Sequence, residues 1–202
     1  MADKTKITLS KGEVKNVQDT QWILTKYSII KKVYELFNAR VASIKNSLEK
    51  RNDFLSAEII LALPKINKGE NYRQFPYVIM DFPAVFSKQN VFALRTMFWW
   101  GNFFSVTLHL SGTYKDLYAE NIINQLCLEP LLFYVCINET EWQHNFEPDN
   151  YLAAKDITNV SAEEILKKPF IKLALKYDLR QWNNMPQLLD EAYEKILNLL
   201  KN

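Results

Sequence analysis

Between Ser28 and Arg51 apolar residues return every three or four positions. Ile29, Ile30, Val33, Leu36, Phe37, Val41, Ile44 and Leu48 share one face, with Lys and Glu opposite. That period predicts an amphipathic helix over about 25–50. A shorter helical run, DFLSAEIILA (53–62), follows, with Asp53 as its expected cap. The period then shortens. LPKINKGENYRQFPYVIMDFP (63–83) reads as two extended segments around a turn at Gly69, punctuated by Pro64, Pro76 and Pro83.

The clearest hairpin lies at 91–111, within which RTMFWWGNFFSVTLHLSG places two tryptophans and two phenylalanines on either side of Gly101-Asn102. A two-residue loop at Gly101-Asn102 pairs Trp100 with Phe103, Trp99 with Phe104 and Thr96 with Thr107. One face then carries Val91, Ala93, Arg95, Met97 and Trp99 beside Phe104, Val106, Leu108 and Leu110. It is the expected core side, because its second strand is wholly apolar. The other face sets Phe92, Leu94, Thr96, Phe98 and Trp100 beside Phe103, Ser105, Thr107, His109 and Ser111, with a helix expected over it. A three-residue loop would reverse this assignment.

Downstream, TYKDLYAENIINQLCL (113–128) reads as a helix with Leu117, Ile122, Ile123 and Leu126 inward, ended by Pro130. LLFYVCIN (131–138) reads as a buried strand, and ETEWQHNFEPDN (139–150) as an acidic, aromatic loop. The last third reads as helical. Ser161 and Glu164 form a capping box, Pro169 breaks or restarts that helix, and 185–202 carries Leu188, Leu189, Ala192, Tyr193, Ile196 and Leu200 on one stripe. The order predicts an α+β fold in one domain spanning 1–202. Its core is a mainly antiparallel sheet of about 4–6 strands built around the hairpin 91–111. Amphipathic helices from the N- and C-terminal thirds pack on the sheet.

Composition supports a globular core: 48% of the 202 residues are apolar and 24% charged. Charge is uneven along the chain. Residues 1–51 carry eleven Lys and Arg against five Asp and Glu, whereas 52–150 carry six against eleven. Without an Arg cluster or a recognition motif, that asymmetry points to surface complementarity rather than to nucleic acid. Two cysteines, Cys127 and Cys136, make no disulfide framework and are expected as free, buried thiols. No secretory signal or membrane-length apolar run stands in the chain, so the expected location is cytoplasmic, with no membrane partner.

Phosphate loops, nucleophile elbows and paired-His zinc motifs are absent, and with His109 and His144 as the only histidines no cofactor or metal is expected. Chemistry narrows to a few residues. Arg95 falls on the expected core face, where a guanidinium needs a carboxylate such as Asp81 or a ligand anion. His109 lies near Thr107 and Ser111, a pairing of hydroxyl and imidazole that two-residue spacing on one strand holds about 7 Å apart. Lys68, Tyr72 and Arg73 form a basic aromatic stretch beside Phe75 and Tyr77, suited to a phosphate or a peptide. Glu141, His144, Glu147 and Asp149 offer oxygen and nitrogen donors, more simply read as a solvated acidic loop.

The expectation is a non-catalytic module that binds a small molecule or a protein partner. Arg95, Trp100, Phe103, Thr107, His109, Tyr72 and Arg73 are its candidate ligand residues. One alternative is a small enzyme that holds an anionic substrate through Arg95 or Arg73 in a cleft, with His109 or His144 as acid/base. Another is a homodimeric assembly protein that buries its aromatic face.

Overall fold

The computed structural model describes residues 7–128 and 132–201. Seven strands form one antiparallel sheet: β1 (Lys65–Tyr72), β2 (Phe75–Phe86), β3 (Val91–Trp99), β4 (Phe103–Ser111), β5 (Phe133–Cys136), β6 (Tyr151–Ala153) and β7 (Phe170–Asp178). Their order is β1-β2-β3-β4-β7-β5-β6, so β7 returns to lie between β4 and β5. The helices are α1 (Lys11–Gln18), α2 (Thr20–Glu49), α3 (Ala57–Ile60), α4 (Thr113–Leu128), α5 (Asn159–Lys167) and α6 (Met185–Asn198). The α+β expectation holds, but the sheet has seven strands rather than 4–6.

The extra strands come from the region expected to be helical. In Phe170–Asp178, Ile171, Leu173 and Leu175 face the helices, while Phe170, Lys172 and Ala174 face the other side, and all six are buried. A strand buried on both faces shows little alternation. Pro169 therefore precedes a strand and does not restart a helix, and α5 is capped by Thr158 with Ser161 rather than by Ser161 with Glu164.

Helices cover one face only. Ile30, Val33, Phe37, Ile44 and Leu48 of α2, with Leu189, Ala192, Tyr193 and Ile196 of α6, pack against Phe92, Leu94 and Phe98 of β3 and Phe104, Val106, Leu108 and Leu110 of β4. Thr96 also points to this side, where its hydroxyl meets the Tyr193 hydroxyl at 2.7 Å. The expected stripe of α2 is the packed one, although the helix starts earlier, capped by the Asp19 carboxylate. On α4, Tyr118 and Ala119 turn inward and Leu117 is exposed. Pro130 lies outside the described residues. Ser56, not Asp53, occupies the cap position of α3. Cys127 is exposed, whereas Cys136 is buried as expected.

Two turns differ from expectation. Gly69 sits inside β1 at a register shift, and the chain reverses at Arg73 and Gln74, which take φ values of 48° and 70°. In the hairpin, Trp99 pairs with Phe103. The loop is Trp100-Gly101-Asn102, three residues long, with Gly101 supplying the positive φ of 70°. One extra residue reverses the face assignment of β3 relative to β4. Arg95 now lies opposite Thr107, Met97 opposite Ser105 and Ala93 opposite His109.

Candidate functional site

The face away from the helices carries the sheet's polar residues in adjacent rows. Asp81, Arg95, Thr107 and Ala174 are successive cross-strand partners from β2 to β7; beside them Ala93, His109 and Lys172 form a second row. Among the described residues no helix covers this face. The segment between β5 and β6, 137–150, folds over it with Glu141, Trp142 and His144 among the groups that close it. The expected covering helix is thus replaced by the acidic, aromatic loop.

Aromatic packing surrounds the polar rows. Met97, Trp99 and Phe103 form a cluster with Tyr72, Tyr77, Ile79 and Phe146. Trp99 is therefore buried as expected, but on the face opposite to the main core. Phe103 lies beneath the segment, its ring 5.0 Å from that of Phe146. Trp100 departs to the helix side, where its ring meets Trp22 of α2 edge-on at 6.3 Å. The expected grouping of Trp100 with Phe103 and His109 is broken by the three-residue turn.

Arg95 finds the partner its chemistry requires. Its Nε donates to Asp81 Oδ1 at 2.6 Å and its Nη2 to Asp81 Oδ2 at 2.8 Å, a bidentate pair whose carboxylate is buried. The third nitrogen, Nη1, lies 3.2 Å from His144 Nε2, which accepts only when that nitrogen carries no proton. Burial, followed by the charges of Lys172 and Arg95, holds the His144 imidazole down to about 3.

Lys172 is enclosed, and its ammonium donates to the carbonyls of Glu141, at 2.7 Å, and of Gln143. It pins the segment from below, with its ordinary affinity for a proton reduced to about 8 mainly by burial. Tyr72 anchors the same stretch from β1. Its hydroxyl accepts from the backbone N–H groups of His144 at 2.7 Å and Asn145 at 3.2 Å. Asn150 completes the fastening through the Asn145 carbonyl.

His109 differs from these. It is buried between the rings of Trp142 and Phe170, yet its Nε2 meets no hydrogen-bond partner among the described residues. It borders a narrow cavity of about 10 Å³ shared with Arg95, Thr107, His144 and Lys172, space for about one water-sized group. Burial, then Lys172 and Arg95, lower its pKa to about 4.

Of the seven sequence candidates, Arg95, Phe103, Thr107, His109 and Tyr72 come to this face. Arg73 is exposed at the β1–β2 turn and Trp100 is on the far side. Lys172 escaped sequence reasoning. Its signal was a cation at the third position of FIKLALKYD, whose first six residues are otherwise apolar. His144 was weighed as a metal donor and as an acid/base group; among the described residues no three His, Cys, Asp or Glu are placed to hold a metal ion.

Comparison with protein-family models, with curated proteins and with solved structures gives no match.

Proposed function

We propose that this chain is a non-catalytic binding module that takes a small anion, of the carboxylate or phosphate class, on the polar face of its sheet. The observation that carries the reading is Nε2 of His109, buried without a partner among the described residues and beside two cations, Arg95 and Lys172, of which Arg95 alone is paired with a buried carboxylate, Asp81. Two cations against one carboxylate leave a positive charge in excess, and an anion supplies what the site lacks.

The segment 138–146 acts as a plug in this reading. Its fastenings to the sheet include polar bonds from Lys172, Tyr72 and Arg95. The Glu141 and Gln143 carbonyls and His144 Nε2 are acceptors, and an incoming oxyanion competes with them for the same donors. Binding therefore goes with lifting of the segment, because a cavity of about 10 Å³ is too small for a polyatomic anion.

Thermal melts with phosphate, sulfate and acetate, set against chloride at equal ionic strength, test the proposal. A ligand that binds the folded state raises the melting temperature with concentration. The rise is expected for at least one oxyanion and is expected to vanish in Lys172→Met. Equal responses to every salt would reduce the effect to ionic strength and sink the reading.

An enzyme acting on an anionic substrate is the second reading. It is favoured by an imidazole, His109, that is neutral near pH 7 beside Arg95. Only turnover that His109→Asn abolishes while anion binding survives would prefer it.

A further inference from the structure

The N-terminal helices show the reverse of the buried polar face. None of the eight residues of α1 is buried, although its Ser10–Glu13 capping box is complete. An isolated helix of this length is marginal in water and gains its stability from packing. Across residues 7–27, eight large apolar side chains stand in solvent: Ile7, Leu9, Val14, Val17, Trp22, Ile23, Leu24 and Tyr27, with Val17 at 64% and Tyr27 at 63% exposure. Together they present on the order of 1,000 Å² of surface. A standard interface takes ~800 Å² from each partner.

Part of this surface is concave. Leu9, Val17, Trp22, Ile23 and Tyr27 line an open groove of about 540 Å³ between α1, α2 and the edge strand β1. The charged residues of its wall are Glu13, Lys26, Lys68 and Glu70, two of each sign. Lys26 and Glu70 already pair at 2.6 Å. That leaves Glu13 and Lys68, one acid and one base. A wall of balanced charge favours neither an acidic nor a basic partner. It does suit a two-fold arrangement, in which each copy's base faces the other's acid.

We infer that a second copy of this chain docks here, the α1–α2 hairpins of two molecules packing into each other's grooves to form a two-fold dimer. The dimer supplies the covering that α1 lacks. It also leaves the polar sheet face untouched, so the inference stands or falls separately from the anion site.

Sedimentation velocity from low to high micromolar concentration tests it on the full chain, together with hydrogen exchange of α1. Wild type is expected to pass from a 23.8 kDa monomer to twice that mass. Exchange over residues 11–18 is expected to slow at least tenfold across the same range. Val17→Asp and Tyr27→Glu, both at exposed positions, are expected to weaken association at least a hundredfold while circular dichroism stays unchanged. Trp142→Ser, exposed on the segment between β5 and β6, is the control and is expected to dimerise normally. A wild type that remains monomeric at every concentration overturns the inference. A dimer that both charged variants leave intact, or exchange in α1 that is independent of concentration, does the same.

Discussion

Lys172 and His109 are direct cross-strand partners, on β7 and β4, yet hydrogen bonding treats them in opposite ways. The Lys172 ammonium holds two carbonyls of the overlying segment, whereas Nε2 of the neighbouring imidazole holds nothing. A protonated His109 beside Lys172 would put like charges in a buried site, and burial together with that ammonium keeps the imidazole neutral.

Lys172→Met should loosen the cover without breaking the sheet. The thioether fills the stem of the side chain but leaves the Glu141 and Gln143 carbonyls without a donor, at a cost of about 1–3 kcal/mol. The relief of burying a charge offsets part of that loss. The expected result is faster amide exchange over 138–146 with little change in β4 or β7. Unaltered exchange in the segment would show that Lys172 does not pin it.

Arg95→Met should be the most damaging change in the polar rows. It strands the Asp81 carboxylate, which is only 6% exposed, and breaking a buried pair from one side costs ~3–5 kcal/mol. Adding Asp81→Leu removes the stranded charge and should recover much of the stability. Urea titration of the two single variants and the double gives the coupling. A double variant no more stable than Arg95→Met would mean that the pair is not the source of the loss.

How far this face was legible in the sequence turned on one residue of loop length. Arg95 and its carboxylate were visible as an electrostatic necessity, and His109 with Thr107 as polar residues on one strand face. What joined them was the three-residue turn at Trp100-Gly101-Asn102, because a slip of one position exchanges the faces of a strand. The same step sent Trp100 to the helices. β7 was hidden for a different reason: its run of six buried residues shows no alternation, and Lys172 within it has the usual appearance of a surface residue. The long-range fastening by Tyr72, which lies on β1 more than sixty residues from His144, left no local signal at all.

Trp99→Ala tests the second apolar cluster. Trp99 packs edge-on against Tyr72, Phe75 and Phe103 with centroid separations of 5.1, 6.2 and 5.2 Å, and its Nε1 donates to the Tyr72 carbonyl at 3.3 Å. Truncation is expected to cost about 3–5 kcal/mol, by the usual cost of cavities in close-packed sites. It should also quicken exchange in 138–146, since Tyr72 anchors that segment. Wild-type stability in urea would place Trp99 outside the cooperative core.

Acid should open the same face before it unfolds the molecule. His109 and His144 bind protons at about 4 and about 3 in the closed form, against an ordinary value near 6.5. Their folded values are lowered, so the open state takes up protons first as pH falls. The stability they confer is complete above about pH 6.5, and each withdraws about 1.4 kcal/mol per pH unit below it until its folded value is reached. Protonation of His144 also removes the lone pair that accepts from Arg95 Nη1. Lys172 acts at the other end of the scale. Its lowered value favours the closed form progressively between about pH 8 and the ordinary lysine range. Exchange of the 138–146 amides, corrected for intrinsic rates, is therefore expected to accelerate steeply from pH 6 to pH 4. His144→Gln, which keeps an acceptor without titrating, should roughly halve that slope on a logarithmic scale, His109 supplying the rest, and an equally steep profile in that variant would assign the acid response elsewhere.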